Sequence, residues 1–249
     1  MWRHWRSIMA RKGERMNVLT ITCHPDDMEV YCGGTLLRCK MRGDTVTVCH
    51  VANGNMGHMV IEPKELREIR IAEAQKSAQM AGFEICTCDV GDLRINPGDT
   101  AIHDQLVGVI RGAKPDFIIT HSPDDYMVDH AAVSELVFQA SFSATVPHYR
   151  TDLGPAVPLT PIYYCDNNCL LNCEPEEYVD ITSTFEQKLQ MLSCHESQVK
   201  WLFDHDGIDV LDDLRTFARL RGIQCDRKYA EGFRVCRTGH RNVPERLLP

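Results

Sequence analysis

Between residues 22 and 35 the chain reads TCHPDDMEVYCGGT, which sets His24, Asp26, Asp27 and Glu29 within six positions. Carboxylates crowded this closely repel one another unless a cation, a proton or bulk water separates them. A second polar run, HSPDDYMVDH at 121–130, adds two more histidines and three more aspartates. Two neutral imidazoles and a carboxylate around one open position are a ligand set of catalytic zinc hydrolases. His24 and Asp27 lie three apart around Pro25, so both can point to one side, and His130 can supply the third ligand. Asp26 is then the spare carboxylate, suited to act as general base toward a metal-activated water. Asp129, next to His130, can fix an imidazole tautomer. Taken alone, HPDD reads equally well as a turn in which Asp accepts backbone N–H bonds and Pro sets φ. His121 and Asp125 read either as substrate contacts or as ordinary turn residues.

The two runs act together only if the fold brings them together. From Met16 the pattern alternates. NVLTIT, DTVTVCHVA, FEICTCDV and DFIITHS read as short buried strands. GGTLLRCKMRG, PKELREIRIAEAQKSAQMAG and AIHDQLVGVIRGAKPD between them read as helices ending at Gly43, at Gly82 and before Pro115. After PDDYMVDH come a helix, AAVSELVFQASFSA, a long loop to about residue 159, and two shorter strands, PIYYCDN and EYVDIT. STFEQKLQMLSCHESQVKWL reads as one helix, followed by a helix LDDLRTFARLRG and a strand EGFRVCR. Strands joined by crossover helices predict an α/β fold, a Rossmann-like, mostly parallel sheet with helices on both faces. In such sheets ligands bind beyond the carboxyl ends of the strands, and HPDD, NGNMG and HSPDDYMVDH fall there.

The chain has 249 residues, a net charge of -8 and 43% hydrophobic residues. That fits one domain over 16–249, preceded by a disordered extension over 1–15. The acidic balance argues against a nucleic-acid binder. No stretch has the length of a transmembrane helix. The twelve cysteines sit largely in apolar runs and the first segment lacks a secretory pattern, which points to free thiols in the cytoplasm.

HPDDMEVYCGGT, NGNMG, REIRIAEAQKSAQMAG, PDDYMVDH, KLQMLSCHESQ and YAEGFR, in this order, resemble the PIG-L/LmbE family of zinc-dependent de-N-acetylases. The resemblance implies the LmbE-like three-layer fold, Zn2+ on His24, Asp27 and His130, and Asp26 as base. It implies Arg70 as a substrate-contacting arginine and Asp129 as the acidic neighbour of the last ligand. The substrate class it implies is a small N-acetylated sugar or glycoconjugate, and it leaves a homo-oligomer open. Met127 departs from the family, many members of which carry there a histidine that helps stabilise the oxyanion; a thioether donates no hydrogen bond. His195 in CHESQ is the candidate replacement, set against a plain helix-surface histidine. Asn53 and Asn55 also depart from the common pattern, which points to altered substrate contacts. Two alternatives stand beside the deacetylase reading. One is an amidase on another N-acyl substrate such as a thiol conjugate; the other is a non-catalytic sugar- or nucleotide-binding protein.

Overall fold

In the computed structural model, which describes residues 15–249, the expected alternation of strands and helices is present. The extension expected over 1–15 lies, apart from Arg15, outside the described residues. The elements are β1 (Asn17–Thr22), α1 (Asp27–Tyr31), α2 (Gly33–Arg42), β2 (Thr45–Ala52), α3 (Pro63–Ala81), β3 (Glu84–Val90), α4 (Thr100–Ala113), β4 (Phe117–Thr120), α5 (Val128–Ser143), β5 (Ile162–Cys165), β6 (Glu177–Asp180), α6 (Phe185–Leu192), α7 (Glu196–Trp201), α8 (Val210–Gln224) and β7 (Ala230–Val235). The seven strands order as β3-β2-β1-β4-β5-β7-β6. The first five strands pair in parallel, and β7 joins β5 and β6 antiparallel.

Alternation along β1 explains the two cores. Val18 points into one apolar layer with α1, α2, α3, α6 and α8, while Leu19 and Ile21 point into a second layer with α4 and α5. Both sides of the central strands are covered, so they read as apolar runs rather than as polar-apolar alternation. The order of connection reverses between β1 and β4, and at this switch point the carboxyl ends of the two strands open a crevice. HPDD follows β1 and HSPDDYMVDH follows β4.

Three local readings change. The HPDD turn runs straight into α1, so Asp27 stands in the first turn of a short helix. α5 begins at Val128, which puts Asp129 and His130 in its first turn rather than in a loop. The single helix expected over STFEQKLQMLSCHESQVKWL is two, because the chain turns at Ser193–His195. The long stretch after α5 is tied down by buried Arg111. Its guanidinium donates to the carbonyls of Ala144, Val146, Arg150 and Gly154 at 2.8–3.2 Å.

Among the described residues no helix is long and apolar enough to cross a membrane. All twelve cysteines are free; of those expected to be buried in apolar runs, Cys23, Cys32 and Cys49 are buried and Cys86 is half-buried.

Candidate active site

The GGT that follows HPDD is held from two distant parts of the chain. Glu231, in the YAEGFR stretch, accepts the Gly34 and Thr35 N–H groups at 2.9 and 2.7 Å. Lys188, in KLQML, pairs with Glu231 at 2.5 Å and donates to the Val30 carbonyl at 3.0 Å. These contacts satisfy donors that a helix start otherwise leaves open. A Cβ on Gly34 would lie 2.8 Å from Ile181, so only glycine lets α2 seat this deeply. The result is a fixed platform for α1 and for the carboxylate it carries.

That carboxylate is the hub of the crevice. Asp27 Oδ2 accepts the His24 N–H at 2.6 Å and lies 3.4 Å from His24 Nδ1 and 3.3 Å from His130 Nε2. His24 Nδ1 and His130 Nε2 are themselves 3.3 Å apart. Tetrahedral ligation with bonds of about 2.0–2.1 Å sets ligand atoms about 3.3–3.4 Å from one another, so this triangle fits a zinc-sized cation. Burial works against a charge on Asp27, yet the surrounding His130, His121 and His24 hold its carboxyl well below the usual range.

Each imidazole has its own support. His130 Nδ1 lies 2.9 Å from Asp125 Oδ2, which keeps the proton there and turns the Nε2 lone pair toward the triangle. His24 Nε2 faces Asp129 Oδ2 at 3.6 Å, and Asp129 is placed by the Leu93 N–H at 2.8 Å. Asp129 therefore reaches the imidazole from the other loop, and the partner of its neighbour His130 is Asp125. His121, fully buried, stacks on His130 at 3.9 Å and 15°. It accepts the Cys23 N–H on Nε2 at 2.8 Å, so the nitrogen nearest Asp27 is already committed. Burial and the neighbouring His130 push His121 down to about 4, which makes it a neutral brace. Cys23, His24 and Asp129 form another grouping able to hold a metal, but burial pushes the Cys23 thiol up to about 12.

Asp26 is not one of the triangle residues; it pairs with Arg70 Nη2 through Oδ1 at 2.8 Å. Arg70 is 3% exposed and donates from Nη1 to the Gly54 carbonyl at 3.3 Å. Gly54 has φ 76°, and a Cβ there would lie 2.6 Å from the Arg70 side chain. The loop after β2 thus rests directly on the guanidinium. Asp92 holds that loop from below, accepting the Gly54 and Met56 N–H groups at 2.8 and 2.9 Å. The Asn55 side chain is bonded into the same loop, accepting the Asp92 N–H at 3.0 Å, and Asn53 donates to the Asp89 side chain at 3.0 Å.

His195 is no helix-surface residue. It is buried at the start of α7, and its Nε2 faces Glu29 Oε1 at 3.1 Å rather than the triangle. Burial opposes its charge, but the Glu29 carboxylate raises its pKa above the ordinary value. Met127 caps α5, half-buried, without a side-chain bond.

Residues 19–141, which carry all three triangle residues together with Asp26 and Arg70, match the PIG-L family, described as GlcNAc-PI de-N-acetylase. This stretch is a PIG-L domain. Diacetylchitobiose deacetylase of Thermococcus kodakarensis is 29% identical over 232 residues, covering 87% of this chain and 82% of that protein. The structure of N,N'-diacetylchitobiose deacetylase from Pyrococcus horikoshii superposes with a TM-score of 0.79 at 24% identity, over 92% of this chain and 86% of that one. GalB, the 4-carboxy-2-hydroxymuconate hydratase from Pseudomonas putida, reaches 0.80 at 22% identity, over 93% of this chain and 100% of its own. These superpositions identify the architecture as that of the LmbE-type deacetylase structures. His121 and Asp125, read from the sequence as substrate contacts or turn residues, instead brace and orient His130, and Asp92 was not singled out by the sequence at all. The usable signal was position, since His121 directly follows β4 and Asp92 closely follows β3, both at the binding edge.

Proposed function

We propose that this PIG-L-domain protein is a zinc-dependent hydrolase that removes the acetyl group from an N-acetylglucosamine-type sugar or glycoconjugate. The observation that carries the reading is the His24–Asp27–His130 triangle, with its ligand-to-ligand distances of 3.3–3.4 Å, beside a carboxylate left out of it. The substrate class follows from the PIG-L domain and from the sugar deacetylases among the relatives.

His24, Asp27 and His130 would hold the cation, which when bound supplies a Lewis acid for the acetamide carbonyl and lowers the pKa of water. Asp26 is engaged with Arg70 through Oδ1, which leaves Oδ2 to take the proton from the attacking water. The same carboxyl group then returns the proton to the leaving nitrogen, giving acetate and a free amino sugar. Arg70 fixes the angle of Asp26, and Asp125 and Asp129 fix the two imidazoles. A cytoplasmic setting belongs to this proposal and rests on the free cysteines; one domain over 16–249 rests on two cores sharing one sheet.

The test is elemental analysis of protein purified without added metal, beside acetate release from N,N'-diacetylchitobiose and N-acetylglucosaminyl-inositol. One zinc per chain with acetate released supports the proposal. Zinc without acetate from either sugar rejects it, and Met127 then favours an amidase on a different acyl amide, because the family's usual oxyanion donor is missing. A fold that also carries a hydratase does not decide between such chemistries.

A further inference from the structure

The CHESQ stretch and the end of α7 remain without a role in the chemistry above, yet they touch the loop that covers Arg70. α7 is fixed at its start to α3, the helix carrying Arg70. Ser197 donates to the Glu73 carboxylate from its N–H at 2.8 Å and from Oγ at 2.6 Å. From that anchored start, Gln198 donates through Nε2 to the Gly57 carbonyl at 3.1 Å. A Cβ on Gly57 would lie 3.0 Å from Arg70 Nη1 and 3.2 Å from Gln198 Oε1, so the loop is sandwiched between the two side chains.

One turn further on, Trp201 lies between two imidazoles. Its ring is 4.1 Å from that of His58 at 30° and 4.4 Å from that of His205 at 25°. His58 belongs to the β2–α3 loop and accepts the Val60 and Ile61 N–H groups on Nδ1, both at 3.0 Å. Its ring therefore organises the second half of that loop. His205 belongs to a π-helical turn, Leu202–Asp206, that continues α7; such turns are frequent at functional sites. The stack gains apolar area and ring-ring contact, and it is the last link between α7 and the loop.

We propose that Trp201 is a positioning residue for substrate binding. By stacking on His58 it holds the β2–α3 loop, including Gly54 and Gly57, at a fixed height over Arg70 and Asp26. This rests on the deacetylase reading for its activity readout only. Neither Trp201 nor His58 touches the triangle, so their loss affects the approach of the sugar and leaves the cation and the proton-transfer carboxylate in place.

The full-length chain, loaded with zinc, is compared with Trp201→Ala, Trp201→Phe and His58→Ala. Trp201→Ala is expected to raise KM for the N-acetylated sugar about tenfold and to leave kcat within about twofold, with zinc content unchanged. Trp201→Phe, which keeps a ring between the imidazoles, is expected to restore KM to within about twofold. Amide hydrogen exchange over residues 54–61 is read on the same samples. It is expected to speed up about tenfold or more in Trp201→Ala and to return toward the parent rate in Trp201→Phe. His58→Ala gives the same pattern from the loop side and decides the matter if Trp201→Ala does not fold; it is read over residues 54–59 alone, because it also removes the acceptor of the Val60 and Ile61 N–H groups. Unchanged exchange over 54–61, or a fall in kcat and zinc content together with the rise in KM, overturns the proposal. A parent chain that releases no acetate sinks the deacetylase reading alone, and the exchange data still decide whether Trp201 holds the loop.

Discussion

Asp125 Oδ2 accepts the His130 Nδ1–H at 2.9 Å, and both side chains are almost fully buried. This pair makes His130 a ligand of fixed tautomer, because the carboxylate holds the proton on the nitrogen remote from Asp27. Removing such an outer partner typically costs about 10- to 100-fold in metal affinity. Asp125→Ala is therefore expected to weaken zinc binding by that factor in competition with a chromophoric chelator. Asp125→Asn keeps an acceptor oxygen and should lose less. An unchanged affinity in Asp125→Ala would mean that His130 is oriented by stacking on His121 alone.

Asp26 stands outside the triangle and is held by Arg70 at 2.8 Å. Asp26→Asn keeps the size and the contact to the guanidinium but cannot take a proton. Turnover should fall about 100-fold or more, with zinc content unchanged by elemental analysis. Loss of zinc in the same variant would make Asp26 a ligand and remove it as the base.

The sheet and the edge where chemistry gathers were legible because they rest on short-range signals. Apolar strand runs, helix stops at Gly43 and Gly82 and the polar clusters after β1, β2 and β4 all fall where expected. HPDD alone left turn and ligand open, and His130 three turns of sheet away in sequence could be joined to it only through strand order. The partners of the imidazoles were not legible. Asp125 and Asp129 both neighbour His130 in sequence, and the start of α5 at Val128 decides which carboxylate faces which ring. The burial of His195 was not legible because the split between α6 and α7 goes with contacts to Glu29 and Glu73, which lie more than a hundred residues earlier.

Proton and metal should compete at His130. Burial disfavours its charge, but Asp27 and Asp125 raise its pKa to about 9 in the metal-free chain. With an ordinary value of about 6.5, the bound proton stabilises the metal-free fold fully below about pH 6.5. That contribution disappears as the pH rises through about 9. A cation needs the ring neutral, so near pH 7 its binding must expel this proton. Calorimetry of zinc binding in two buffers of different ionisation enthalpy should show at least about one proton released per ion. Zinc uptake at this pH without proton release would remove His130 from the ligand set.

The Lys188–Glu231 pair, at 2.5 Å and nearly fully buried, also caps α2 through Gly34 and Thr35. Breaking a buried pair by removing one charge costs about 3–5 kcal/mol. Glu231→Gln should therefore lower the thermal midpoint by roughly 10 °C for a chain of this size. Adding Lys188→Met to Glu231→Gln should recover part of the loss, since no charge is then left buried alone. A shift under about 2 °C in Glu231→Gln would show that the backbone bonds to Gly34 and Thr35 hold the platform without the charge.

Met127 caps α5 three residues before His130. Its backbone N–H donates to Asp125 Oδ1 at 3.0 Å, and the other oxygen of that carboxylate holds His130, so position 127 is tied to the ring that would hold the cation. A thioether there gives no hydrogen bond to a developing oxyanion, whereas a single well-placed donor is worth about 100- to 1,000-fold in rate. An unoptimised replacement recovers only part of this, and Met127→His is expected to raise kcat for the N-acetylated sugar about tenfold with KM little changed. Single-turnover rates with zinc-loaded parent and variant measure it. A gain would show that the chain works with an incomplete oxyanion site. An unchanged rate would show that another group already occupies that role, or that amide hydrolysis is not what limits turnover.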